Sequence, residues 1–269
     1  MAKGIRVAFF SVVNWKPGMR AFEEREITFE WHLGMSWQQK QKSSKSMLEQ
    51  LELQGYNPIE ISRRSEDMEF GVQLSAFNLK INNKNVENIF QAYKVFNDGG
   101  PYYDLLEVDP KSAKNDCRIQ TKDSKKPCQT YNVAYKNKEF FTDENICDYC
   151  RTRQDRELIR FESKKAKWAK EPKSMFYDAI YIAALLQNKQ LSNKLVEFNA
   201  FTDIEFNQKT PYATLKGPFN CQARSCAIYS TLKQAKISDV EITDIIQSPE
   251  RMKELYGATV EVYEQQSLL

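Results

Sequence analysis

Between residues 25 and 32 the chain reads REITFEWH, with Ile27, Phe29 and Trp31 alternating against charged or polar neighbours. A period of two predicts a strand with one buried face. Residues 4–13, GIRVAFFSVV, predict another strand, and residues 36–54 a helix carrying Trp37, Met47, Leu48 and Leu51, with QKQKSSK as its solvated side. From Ser174 the run SMFYDAIYIAALLQN is apolar on nearly every face and predicts a helix central to the core, with Asp178 as a buried, hydrogen-bonded carboxylate. A helix over 192–199 leads into NAFTDIEFN, where Asp203 and Glu205 alternate with Ile204 and Phe206. In a strand, that alternation sends both carboxylates to one side. Asn220 is expected to cap a helix, NCQARSCAIYSTLKQ, whose Ala223, Cys226 and Ala227 permit close packing. Residues 237–269 are amphipathic and show no evident chemistry.

The segment NVENIFQAYKVFND, residues 85–98, predicts a helix of another kind. At about 100° per residue, Glu87, Gln91, Lys94 and Asp98 fall within roughly 60° of one another. Ile89, Phe90, Ala92, Tyr93, Val95 and Phe96 cover most of the remaining circumference, too wide for one core-facing stripe, so the helix should be buried on most sides. Asn85 is the expected N-cap, Glu87 sits where the helix dipole favours negative charge, and Gly99-Gly100-Pro101 ends the element. The polar stripe is either a solvated face or the wall of a pocket. Periodicity leaves both open.

Charge narrows the options. Against 39 basic residues stand 36 acidic ones, a net charge of +3 in a chain of 269 residues. Any nucleic-acid contact must therefore come from local clusters, such as Lys122, Lys125 and Lys126 or Lys164, Lys165 and Lys167. The single histidine, His32, argues against serine triads and His-rich zinc hydrolases, and no Walker loop, GxGxxG or HExxH occurs. An enzyme built from this chain would draw its acid, base and nucleophile from carboxylates, lysine, cysteine or tyrosine. No apolar run approaches the ~18 residues of a membrane span, and no signal-peptide pattern is evident, so a soluble cytoplasmic protein without a membrane partner is expected.

Six cysteines fall into two groups. Cys147 and Cys150 form a CxxC that could join Cys117 and Cys128 as a four-thiolate zinc site, the alternative being free, partly buried thiols. Cys221 and Cys226, five apart, do not share a helix face and read as small packing residues.

Three matches in chain order carry a family resemblance. LSAFNLKI with VENIFQAYKVF matches at Leu74, Ser75, Phe77, Val86, Glu87, Gln91, Ala92 and Lys94; DPKSAKNDCRI matches at Pro110, Ala113, Lys114 and Arg118; FTDIEF with FNCQARSCAIY follows. Together they resemble the NADAR superfamily, named for its association with NAD and ADP-ribose. FEWHLGMSWQQKQKSS, GGPYYDLL, EPKSMFYDAIY and NCQARS bring the chain closest to one branch, found as antitoxins beside DarT-type DNA ADP-ribosyltransferases. The resemblance covers most of residues 25–236. Two features depart from it: no Trp-Gly pair follows the acidic segment, and the cysteine-bearing stretch from about 120 to 156 is longer than the branch implies.

The resemblance implies an α+β, helix-dominated NADAR domain over residues 70–240, with a strand-containing N-terminal extension (1–69) packed on it, a cysteine-containing surface excursion near 115–170 and a tail from 241 to 269. It further implies an N-glycosidase that removes ADP-ribose from guanine bases of DNA, with ADP-ribosylated DNA and a DarT-type toxin as partners and no cofactor beyond a possible structural zinc. Under that resemblance Lys94 is the nucleophile, attacking the opened sugar as a Schiff base, and Glu87 transfers the proton. Asp203 or Glu205 orients the ribose hydroxyls, and Ser75, Phe77, Asn78, Gln91 and Asn220 belong to the ligand site. Lys111, Lys114 and Arg118 either hold the pyrophosphate or form a solvated basic turn. Gly99-Gly100-Pro101-Tyr102 either approaches a phosphate or is a plain turn. The polar stripe then becomes the wall of an ADP-ribose pocket. Two other functions are compatible with the sequence: an N-glycosidase acting on a small ribosylated metabolite, and a non-catalytic antitoxin that neutralises a toxin by contact.

Overall fold

The alternation near the N-terminus builds a hairpin. In the computed structural model, which describes residues 2–34, 36–122, 124–136, 139–140, 145–164, 166–170, 173–206 and 221–257, strand β1 (Ala2–Phe10) pairs antiparallel with β2 (Glu23–Trp31), Phe9 opposite Glu24. Helix α1 (Trp37–Glu52) follows, its Ser36 cap accepting from the Gln39 amide, and then come strands β3 (Pro58–Glu60) and β4 (Lys80–Ile81). These elements belong to the first of two units, residues 1–81 with 171–269; residues 82–170 form the second. The second unit contains β5 (Lys84–Asn85), α2 (Val86–Ala92), β6 (Lys94–Phe96), α3 (Pro110–Asn115), β7 (Tyr135–Lys136), β8 (Glu139–Phe140), α4 (Asp148–Arg151), β9 (Leu158–Glu162) and β10 (Lys167–Ala169). The chain then returns to the first unit with α5 (Lys173–Gln187), α6 (Lys189–Leu195), β11 (Ala200–Thr202), α7 (Gln222–Gln234), α8 (Asp239–Gln247) and α9 (Pro249–Glu254). The fold is α+β. Among the described residues, no helix is long and apolar enough to cross a membrane.

In the first unit the sheet runs β2-β1-β11-β3. β11 lies antiparallel to β1, Phe9 opposite Phe201, and parallel to β3, Phe201 opposite Ile59. Ala8 and Phe10 of β1 join Ile27, Phe29, Met47, Leu51, Ala200 and Ile204 in one core cluster. Val7 and Phe9, pointing to the opposite face, are buried too, as a central strand covered on both sides requires. Helix α5 carries the buried Asp178, which accepts from Arg224 Nε at 2.9 Å, Arg224 Nη2 at 3.2 Å, Ser225 Oγ at 2.6 Å and the Tyr256 hydroxyl. Within the first unit, β1 shares a sheet with β11, and α8 turns Ile242, Ile245 and Ile246 inward.

Several predicted elements are corrected. The helix expected over 85–98 stops at Ala92, because Lys94–Phe96 find their backbone partners in β9, with Lys94 opposite Phe161 and Val95 opposite Arg160. The helix expected over 192–199 is α6, at Lys189–Leu195, with Asn188 in the cap position. The strand expected through Phe206 ends at Thr202; Asp203 Oδ1 accepts from the Glu205 amide at 3.0 Å, an Asx turn that bends the chain away from the ladder. The cap of α7 is Cys221 rather than Asn220, which lies outside the described residues. Within the 115–170 stretch, Arg153 and Arg156 are fully buried.

Candidate functional site

Glu87 and Gln91 lie one helical turn apart on α2 and share a face. Gln91 Nε2 donates to Glu87 Oε1 at 2.7 Å, and Lys94 Nζ donates to Gln91 Oε1 at 2.6 Å. The amide thus stands between carboxylate and amine, its orientation fixed by what each end can do: a carboxylate accepts and an amine donates. Lys94 Nζ also sits 4.9 Å above the Phe90 ring, and Lys114 Nζ lies 3.9 Å from Glu87 Oε1. Glu87 and Gln91 are buried, while Lys94 is partly exposed. Asn88 anchors the helix by donating to the carbonyls of Leu105 and Val108, both at 2.7 Å. The sequence stripe therefore survives in part. Glu87, Gln91 and Lys94 are brought together across a helix-to-strand junction, whereas Asp98 accepts instead from Arg156 Nε at 2.6 Å.

The glycine turn supports this array. Gly100 has φ +99°, and an added Cβ there would collide with the Lys94 carbonyl oxygen and come within 3.2 Å of Val95 Cα. The peptide between Gly100 and Pro101 is cis. Tyr102 donates its amide to the Ala92 carbonyl at 2.7 Å, and its hydroxyl accepts from Arg156 Nη2 at 3.1 Å. The Arg118 guanidinium lies 5.1 Å from the Tyr102 ring centroid and bonds to Asp104 and Asp116, at 2.5 and 2.9 Å. Hydrogen bonding from Arg118 holds Asp104 below the ordinary carboxylate range, and the bonds to Asp116 first and then to Asp104 raise Arg118. The expected basic turn is thus partly neutralised by its own carboxylates.

Lys126 was singled out only as part of a surface cluster, yet it is half-buried and donates to the Lys114 carbonyl. Burial, and then the charge of Lys114, push its amine down to about 8, with Glu87 pulling the other way. Nothing in the local pattern KDSKK distinguishes it.

The remaining expected site residues belong to the other unit. Ser75 is buried, and its carbonyl accepts the amides of Asn78 and Leu79, both at 2.8 Å. Asn78 Nδ2 donates to the Val72 carbonyl at 2.8 Å, and the Arg63 guanidinium lies 4.2 Å from the Phe77 ring centroid. Gln222, overlooked as an individual residue although it stands in NCQARS, pins this turn: its Oε1 accepts from the Ala76 amide at 2.9 Å and its Nε2 donates to the Ile61 carbonyl. Asp203 is buried, and Glu205 pairs with Arg64 at 3.1 Å and Arg63 at 3.5 Å. The two carboxylates therefore do not share a strand face. Asn220 lies outside the described residues.

Back in the second unit, the sulfurs of Cys117, Cys128, Cys147 and Cys150 all lie within 4.8 Å of one another. One surface depression of about 310 Å³ is lined by Cys117 and Cys147 together with Arg118, and another of about 430 Å³ lies beside Asp98 and Arg156; neither is lined by Glu87 or Lys94.

The α+β fold is that of a NADAR domain. A family model described as DarT1-associated NADAR antitoxin matches residues 5–149 and 147–266. The chain belongs to that family. No curated protein matches the chain.

Proposed function

We propose that the protein hydrolyses the N-glycosidic bond between ADP-ribose and a guanine base of DNA, and so acts as the antitoxin to a DarT-type toxin in the cytoplasm. The observation that supports this reading is the chain of contacts from Glu87 through Gln91 to Lys94, with the amine held over Phe90. Breaking the bond from C1 of a ribose to a base nitrogen requires a proton for the leaving base and a nucleophile for the electron-poor carbon. Opening the sugar transfers the C1–O bond electrons to the ring oxygen, which takes up a proton, while the base nitrogen forms an iminium with C1. The unprotonated Lys94 amine then adds to C1. The base departs with its bonding electrons and a proton from Glu87, leaving the sugar as a lysine Schiff base. Water, deprotonated by Glu87, adds to that carbon and expels the amine, so free ADP-ribose and unmodified DNA result. Gln91 keeps both groups at fixed distance from one carbon, a positioning role.

The test is incubation of the wild-type protein with an oligonucleotide bearing ADP-ribosyl-guanine, followed by mass analysis. Loss of the adduct and recovery of plain guanine is the expected result. Activity on a phosphorylated ribosylated metabolite, with none on the oligonucleotide, would transfer the same chemistry to a small substrate. Protection against the toxin that survives Lys94→Ala would identify a binder rather than a hydrolase.

A further inference from the structure

We propose that Cys117, Cys128, Cys147 and Cys150 hold a single zinc ion in a closed structural site. Zinc with four thiolates is tetrahedral, with bonds of about 2.3 Å and therefore sulfurs about 3.8 Å apart. The four sulfurs lie within 4.8 Å of one another and the Cys117 to Cys128 pair at 4.0 Å, so small side-chain rotations complete the tetrahedron. These cysteines are free thiols.

The backbone around them is already shaped for ligation. Cys147 and Cys150 bracket the start of α4, where the amides of Cys150 and Arg151 both point at the Cys147 carbonyl, at 2.9 and 3.0 Å. Cys117 opens a short 3-10 turn, and Cys128 is fixed by a 2.8 Å bond from its amide to the Val133 carbonyl. Donors reach the sulfurs from outside the cluster, among them the Gln129 amide at 3.2 Å from Cys117 Sγ and Arg153 Nη2 at 2.9 Å from Cys150 Sγ. Four thiolates around a divalent ion carry net negative charge, and amide and guanidinium donors are the outer partners that such a centre uses. Arg153 is fully buried, which is expensive for a cation unless negative charge lies beside it.

The hydrophobic alternative is weak at this place. Among the described residues, the local core consists of Cys117, Cys128, Ile146 and Cys150, with Val133 and Cys147 packed against it. So small a cluster needs a cross-link to hold its loops. Four protein ligands leave no open coordination position, so the ion supports structure and takes no part in the chemistry. Its effect on the neighbouring residues is positional: Arg118 follows Cys117, and Arg153 ties the cluster to the Lys126 carbonyl at 2.8 Å.

The experiment is elemental analysis of the full-length protein purified without added metal, with cobalt exchange as a second measurement. About one zinc per chain is expected, falling several-fold in Cys128→Ser and Cys150→Ser and unchanged in Cys221→Ser and Cys226→Ser. Cobalt substituted into the wild type should give the intense visible and near-ultraviolet bands of a tetrahedral tetrathiolate, a reading that does not depend on a variant folding. A wild-type protein that contains no zinc and takes up neither zinc nor cobalt overturns the proposal. So does stoichiometric iron, or a mass spectrum of the native protein showing these cysteines joined as disulfides.

Discussion

Gly100 packs against the main chain of Lys94, the carbonyl oxygen occupying the space where a side chain would begin. The positive φ of Gly100 and this close approach both demand glycine, so the turn after β6 sets the height at which Lys94 stands. Gly100→Ala is expected to destabilise the protein by about 1–3 kcal/mol and to reduce turnover by displacing the Lys94 backbone. Urea unfolding and the oligonucleotide assay check both. Wild-type stability together with wild-type turnover would contradict the support role.

Lys94→Ala should abolish a covalent intermediate. Borohydride added during turnover reduces a Schiff base to a stable amine, so wild-type protein should gain the mass of reduced ADP-ribose on Lys94 and the variant should not. Glu87→Gln should slow turnover by about 10²–10⁴-fold, the usual worth of a positioned acid or base. An adduct that forms equally well in Lys94→Ala would place the nucleophile elsewhere.

Asp178 gathers Arg224, Ser225 and Tyr256 in a fully buried cluster, and burial together with the adjacent carboxylate raises the Tyr256 phenol well above its ordinary pKa. Asp178→Ala withdraws the carboxylate from a buried guanidinium and should cost about 3–5 kcal/mol; Tyr256→Phe removes a hydrogen bond to a charged group and should cost about 1.5–3 kcal/mol. Denaturant midpoints measure both. A change below the noise in Asp178→Ala would show that the cluster is dispensable for folding.

Glu60 is buried, and burial raises its carboxyl above the ordinary range despite hydrogen bonds from Ser62, Thr202 and the Ile204 amide at 2.5, 2.6 and 2.9 Å. The unfolded chain therefore releases this proton first, at about pH 4.3. Stability from Glu60 is fully present below that pH, is lost as the pH rises through the folded-state value, and is level beyond it. Melting temperatures from pH 4 upward for wild type and Glu60→Gln should differ with that slope. A constant difference across the range would contradict it.

The sequence pattern located Glu87, Gln91 and Lys94 as one stripe, because spacings of four and three are local and survive the end of the helix. It missed that end. Nothing within VENIFQAYKVF shows that Lys94–Phe96 will pair with Leu158–Glu162, since strand pairing is decided by a distant partner. The alternation of Asp203 and Glu205 misled for a related reason: their period fits a strand, but the Asp203 side chain competes with the ladder for the Glu205 amide. Asp178 was legible as a buried carboxylate because its helix is apolar all round, whereas Tyr256 was not, lying in a tail with no distinguishing pattern. The cysteine spacing allowed four sulfurs to meet, and only the folded chain shows that they do.

The order β2-β1-β11-β3 also bears on how the protein is made. On the ribosome, β1 emerges early, but its neighbour Phe201 is translated 191 residues after Phe10 (201 − 10), an interval of roughly 10–40 s at about 5–20 residues per second. Residues 82–170 are contiguous and complete before then, so that unit is free to fold first. Throughout the wait, one edge of β1 with Phe9 and Phe10 stands open, a strand available to chaperones and to neighbouring nascent chains.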